Sequence, residues 1–181
     1  MKYLILNVTA ILFITNVAAQ KKHTIFFNSY NSLGFIAGKL PVTFTAQTEN
    51  GIKFKNWFIG TGFGIDNYFI KTLPLFGAVK MDFSFKKSSL YLYCNAGGNF
   101  IAKDKKVTAA FSTIETRGGF YADAGVGYKV IITKRGSIYF SLGNSTKTVK
   151  QTESSNDSGF PYFFATENKF SRIVFRVGCQ F

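Results

Sequence analysis

Side chains of two different kinds alternate along most of this chain. In residues 119–132, Phe120, Ala122, Ala124, Val126, Tyr128, Val130 and Ile132 occupy one set of alternate positions. Tyr121, Asp123, Gly125, Gly127 and Lys129 occupy the other. A period of two puts such rows on opposite faces of a β-strand. The same pattern recurs in residues 137–144, where Ile138, Phe140 and Leu142 oppose Tyr139, Ser141 and Gly143. In residues 89–100, Leu90, Leu92, Cys94 and Ala96 oppose Tyr91, Tyr93, Asn95, Gly97 and Asn99. In residues 57–66, Trp57, Ile59, Thr61, Phe63 and Ile65 oppose three glycines and Asp66, and Lys80 and Asp82 share one face of residues 75–85. The last eleven residues set Ile173, Phe175, Val177, Cys179 and Phe181 against Arg172, Arg176 and Gln180. No helical period appears after residue 20.

One row carries large apolar side chains, and the other carries glycine, tyrosine and charge. A soluble sheet that ended on an exposed Phe after such a strand would present an aggregation-prone edge. A closed barrel that turns its apolar row to lipid and its polar row to a lumen has no such edge. Glycines on the inward row make room for tyrosines in a narrow lumen and ease strand curvature. Pro41, Pro74 and Pro161 all avoid strand centres. Connection lengths agree: 49–51, 86–88 and 133–136 read as short turns, while 67–72, 102–116 and 151–170 read as longer, more polar loops. Strands are expected near 38–48, 52–66, 73–86, 89–101, 117–132, 137–150 and 170–181. An even number needs one more, placed at His23 to Tyr30 or slightly beyond, although residues 28–38 alternate poorly. The expected fold class is all-β: an antiparallel, up-and-down transmembrane barrel of eight strands. The aromatic group Phe160, Tyr162, Phe163 and Phe164 either continues a strand past the membrane or docks at its outer surface.

The N-terminus supplies the compartment. Lys2, a mainly apolar run over residues 3–17 and the small residues Ala18 and Ala19 form a secretory signal peptide, cleaved after Ala19. Residues 1–19 are thus expected to be a helical leader and residues 20–181 the barrel domain. The run is too short and too polar to span a bilayer as a helix. The formal charge of +13 becomes +12 once Lys2 is removed. Nucleic acid is the usual partner of so basic a chain, and export argues against it. The charge is scattered over turns and loops, where it is either simply solvated or set against lipid phosphates. Aromatic residues make up 18%, with 22 Phe, which suits lipid-facing positions. The mean hydropathy of +0.09 averages the two rows. Cys94 and Cys179 fall on apolar rows of strands that are not neighbours, so no disulfide is expected.

Residues 60–69 (GTGFGIDNYF), 73–83 (LPLFGAVKMDF), 118–129 (GGFYADAGVGYK), 141–144 (SLGN) and the terminal FRVGCQF together give the chain a family look. It resembles the small outer-membrane β-barrel proteins of Gram-negative bacteria, of the eight-stranded OmpX/OmpA-barrel type. The resemblance covers essentially the expected mature chain and specifies architecture better than activity. It implies residence in the outer membrane among lipid and lipopolysaccharide. It also implies that Phe181, with Phe175 and Val177 upstream, is the signal read by the barrel-assembly machinery. Cys179 departs from the large aliphatic residue usual at its place. A monomer is expected.

The candidate site is the lumen, where Asp66, Lys80, Asp82, Asp123, Lys129, Arg172 and Arg176 converge on inward rows. Charges of both signs there can pair into a hydrogen-bonded plug or line a conducting path. Eight strands leave an interior that side chains largely fill, which favours the plug. Catalysis is not expected. His23, the single histidine, stands at the wrong end for a Ser-His-acid hydrolase of lipid A. One histidine and two separated cysteines do not make a metal site. GTGFG lies within a strand, with no helix after it to hold a nucleotide. No cofactor is expected. The favoured function is a non-enzymatic, structural or interaction-mediating outer-membrane barrel acting through its external loops. The alternatives are a soluble periplasmic lipocalin-like binder, which would need the two rows reversed, and a lipid A-modifying enzyme.

Overall fold

The computed structural model describes residues 25–38, 41–67, 70–102, 106–108, 112–133, 136–155 and 162–181. The expected leader, 1–19, and His23 lie outside the described residues. Eight strands form the ring: β1 (Ile25–Ala37), β2 (Thr43–Phe54), β3 (Trp57–Asn67), β4 (Lys71–Ser84), β5 (Ser88–Ile101), β7 (Ser112–Ile131), β8 (Ser137–Ser155) and β9 (Phe163–Gln180). Each pairs antiparallel with its sequence neighbours, β5 pairs with β7, and β9 closes on β1 from Tyr30↔Gln180 to Ala37↔Ile173. A short strand, β6 (Lys106–Thr108), pairs only with β7, outside the ring. The architecture is an all-β, up-and-down, eight-stranded barrel.

Polarity is inverted relative to a soluble protein. Ile173, Phe175, Val126, Phe140 and Leu92 are exposed on the outer face, whereas Arg176, Asp123, Tyr121 and Tyr93 are buried inside the ring. Cys94 and Cys179 are outward, exposed and free.

Three boundaries differ from the sequence reading. Residues 49–51 are not a turn. They run through the middle of β2, and Gly51 faces Gly60 of β3. A Cβ at Gly51 would overlap the backbone at Ile59 and Gly60, so this glycine permits close strand approach rather than a bend. The turn lies at Lys55–Asn56, where Lys55 takes a φ of 54°. Tight hairpins favour Gly or Asn at positive φ, so a lysine there gives no signal. The first two strands accordingly shift to Ile25–Ala37 and Thr43–Phe54. Finally, much of the expected loops at 102–116 and 151–170 is strand. Residues 112–119 of β7 and 163–172 of β9 continue past the last pairs with β5 and β1, held by β8 and, on β7, by β6.

Inside, aromatic side chains lie over cross-strand glycines. Tyr91 is paired with Gly127, and a Cβ there would overlap the Tyr91 ring. Gly77, on the outer face, would meet only the Ala96 carbonyl at 3.9 Å. Gly127→Val is therefore expected to destabilise the barrel by about 1–3 kcal/mol through overpacking, while Gly77→Ala stays within about 0.5 kcal/mol. Urea midpoints in phospholipid vesicles measure both. Equal midpoints would mean that Tyr91 moves aside without loss.

Candidate functional site: a charged and tyrosine-filled lumen

Alternation on a closed ring sends every second side chain inward, so the lumen is built from single residues of all eight strands. Among the described residues of the ring wall, each inward carboxylate holds a cation. Near the turn end, Asp82 of β4 accepts hydrogen bonds from Lys129 Nζ of β7 at 3.0 and 3.1 Å and from Lys53 of β2. Lys129 also donates to the Tyr30 hydroxyl at 3.0 Å. One step further in, Lys80 pairs with Glu49 at 2.7 Å and lies 4.7 Å from the centroid of the Tyr30 ring.

Mid-barrel, Asp123 of β7 accepts from Arg176 of β9, from Tyr93 Oη at 3.2 Å and from Tyr121 Oη at 3.1 Å. Arg176 Nη1 also reaches Tyr93 Oη at 3.3 Å, and Gln47 Nε2 donates to Tyr121 Oη at 2.9 Å. Toward the loop end, Asp66 of β3 accepts from Lys147 of β8 and from Thr45 Oγ1, and Lys147 donates to Thr72 Oγ1 at 2.9 Å.

Tyrosines fill the space between these levels. Tyr30 meets Phe58 edge-on at 4.9 Å and Tyr139 at 5.5 Å, and Tyr91 meets Tyr139 at 6.0 Å. Tyr30 and Tyr121 are 0% exposed. Desolvated charges are tolerable only when paired and hydrogen-bonded, and here the pairs join strands across the lumen. The arrangement locks opposite walls together. Among the described residues no cluster of His, Cys, Asp and Glu could hold a metal.

All seven residues singled out from the sequence are buried within the ring. Asp82 meets Lys129 and Asp123 meets Arg176, whereas Lys80 and Asp66 meet partners that the sequence reading did not name. Arg172 lies near the loop end, with its side-chain stem against Gly38. Glu49, Lys53 and Lys147 are the additions. Glu49 and Lys53 lie in the part of β2 where Asn50–Gly51 reads as a turn, so the alternation does not show them as inward. Lys147 shares its parity with Tyr139 and Ser141, so continuing that row would have found it. Phe175, Val177 and Phe181 all face outward, and Phe181 is bonded to the first strand through Ser29 N–H to Phe181 O at 2.8 Å.

No protein-family model matches the chain, and no curated protein matches it in sequence. Among solved structures, that of AlkL, an outer-membrane protein determined in DMPC bilayers, aligns at 12% identity over 90% of this chain and 92% of its own, with a TM-score of 0.44. The crystal structure of Neisserial surface protein A (NspA) aligns at 11% identity over 88% of this chain and 98% of its own, with a TM-score of 0.55. With its eight antiparallel strands in a closed ring, the chain has the fold of a small outer-membrane β-barrel.

Proposed function

We propose that the protein is an integral outer-membrane barrel without catalytic activity, closed through its lumen, whose task is interaction at its external end. The observation that carries this reading is the inverted polarity: apolar side chains cover the outside of the ring while ion pairs and tyrosines occupy the inside. A soluble ligand-binding barrel needs the reverse. The closed interior argues against a conduit, since any ion would have to displace charges that are already paired across the lumen.

The external end supplies the working surface. There β7, β8 and β9 continue past the rest of the ring, with Phe163 and Phe164 strongly exposed. Glu115, Arg117, Lys150 and Glu167 ride on the same extension, paired only loosely at its surface. Exposed aromatics among mixed charges suit a polar partner or the phosphates of lipopolysaccharide.

Fractionation combined with gel mobility before and after boiling tests this reading. The folded chain should sediment with outer membranes and change mobility on boiling. Deleting Phe181 should lower the amount inserted in cells by several-fold, yet leave the unfolding of protein refolded into lipid nearly unchanged. That outcome fits an assembly signal formed by Phe175, Val177 and Phe181. A periplasmic, heat-insensitive product would overturn the membrane assignment, and an unchanged cellular yield would remove Phe181 from the signal.

A further inference from the structure

Polar side chains interrupt the apolar outer face of the first three strands. On β1 the outward row reads Phe27, Ser29, Asn31, Leu33, Phe35; on β2 it reads Phe44, Ala46, Thr48, Asn50, Ile52, Phe54; on β3 it reads Trp57, Ile59, Thr61, Phe63, Ile65. The polar members are neighbours, because Ser29 pairs with Asn50, Asn31 with Thr48, and Asn50 with Thr61. Apolar residues bracket them toward both ends of each strand, so the patch lies within the apolar band and not at its rim. Across the ring, the outward rows from Leu75 to Phe83 on β4, Leu90 to Ala96 on β5 and Ala122 to Val130 on β7 contain no amide or aliphatic hydroxyl side chain. A second outward polar group, Asn144, Thr146 and Thr148 of β8 with Ser171 of β9, runs on toward Lys150 and Lys169 at the loop end, so the polar patch bracketed by apolar residues on both sides is the one on β1 to β3.

Within the outer-membrane reading proposed above, on which this inference rests, that position is costly. Acyl chains offer no hydrogen-bonding group, and polar side chains at membrane depth ordinarily face protein. The patch satisfies itself only in part. Asn31 Nδ2 donates to Ser29 Oγ at 3.1 Å, and Asn50 Nδ2 reaches Thr48 Oγ1 at 3.5 Å. A primary amide has two hydrogens to donate and an oxygen that accepts. Beside the patch runs a groove of about 640 Å³ whose lining includes Asn31, Ala46, Thr48, Phe63, Val177 and Cys179.

We propose that this face, on β1 to β3 with the adjoining edge of β9, is where a second copy of the chain docks within the membrane. An occupant must present donors and acceptors at the same depth, which excludes lipid tails, while lipopolysaccharide phosphates sit at the rim. Amides meet that need symmetrically. A two-fold axis through the patch sets Asn31 and Asn50 against the same residues of the partner, each able to donate and accept. The monomer expected from sequence is then half of a closed pair.

The two cysteines make the test. Cys179 sits in the groove, cross-strand from Asn31, whereas Cys94 lies on β5, away from the patch. The protein refolded into dimyristoylphosphatidylcholine vesicles, with donor or acceptor dye on Cys94 in a Cys179→Ser background, should show energy transfer that persists as lipid is added. The pair N31L and N50L should weaken that association at least tenfold while the barrel still shifts mobility on boiling. In outer membranes a short, membrane-permeant bismaleimide should capture a dimer that survives Cys94→Ser and vanishes in Cys179→Ser.

Transfer that falls in proportion to dilution overturns the inference, as it would if a different protein were the occupant. Association unchanged in N31L/N50L, or capture through Cys94 alone, also overturns it. Absence of any heat-modifiable, membrane-inserted band would instead bring down the membrane reading itself, and the inference with it.

Discussion

Asp82→Ala is expected to destabilise the barrel by about 3–5 kcal/mol, more than any substitution on the outer face. Asp82 is 2% exposed and is the common acceptor for Lys129 and Lys53, with the Tyr30 hydroxyl sharing Lys129. Removing its carboxylate leaves two ammonium groups near one another inside a closed ring, with Lys80 and its partner Glu49 one step along β4 and β2. The loss is therefore the penalty of unpaired buried charge, which exceeds the worth of the pair itself. Lys53 is partly exposed and can turn toward solvent. Lys129 is 3% exposed and cannot do so without leaving its place beside Tyr30. Asp82→Ala with Lys129→Met should consequently recover a good part of the loss, since the remaining cation can hydrate. Urea unfolding in vesicles measures all three proteins. A loss below about 1 kcal/mol in the single variant would show that water reaches this level and that the lumen is not closed at its turn end.

How the sequence was legible follows from what alternation can and cannot express. Parity alone places Tyr93, Asp123, Lys129 and Arg176 inside, because each sits in a long uninterrupted strand whose opposite row is uniformly apolar. It places Lys147 inside as well, once the row of Tyr139 and Ser141 is continued. Parity fails where the rows are chemically mixed. On β1, outward Ser29 and Asn31 and inward Tyr30 and Ile36 blur the contrast, and Ile36 packs inside against Val174. On β2, Asn50–Gly51 imitates a tight turn, although the glycine is needed for approach to Gly60. The true turn uses Lys55, whose positive φ no propensity announces. Pairing across the lumen is a separate matter. Which carboxylate meets which cation depends on strand stagger around the whole ring, so Asp66 with Lys147 and Glu49 with Lys80 became visible only when the barrel closed. The strand extensions of β7 to β9 are polar and uneven on both faces, as strands outside a bilayer can be, and so read as loops.

Asp123 and Arg176 should behave as one unit when tested by a double-mutant cycle. Asp123 is 1% exposed and accepts from three donors on three strands: Arg176 of β9, Tyr93 of β5 and Tyr121 of its own strand β7. Arg176→Ala removes the cation and leaves the carboxylate with two tyrosine hydroxyls, which hydrogen-bond a charge without neutralising it. Asp123→Ala leaves a buried guanidinium that still reaches the Tyr93 hydroxyl but has lost its counter-charge. Each single change is expected to cost about 3–5 kcal/mol. The double variant should cost much less than their sum, with a coupling of about 2–3 kcal/mol, because neither charge is then left behind. Arg172→Ala serves as the comparison. It is buried nearer the loop end, away from the Asp123 group at mid-barrel, and should cost less than Arg176→Ala. Additive losses in the cycle, or equal tolerance of alanine at positions 172 and 176, would mean that solvent screens these charges. The middle of the barrel would then be a wet passage, and conduction would return as the better account of the lumen.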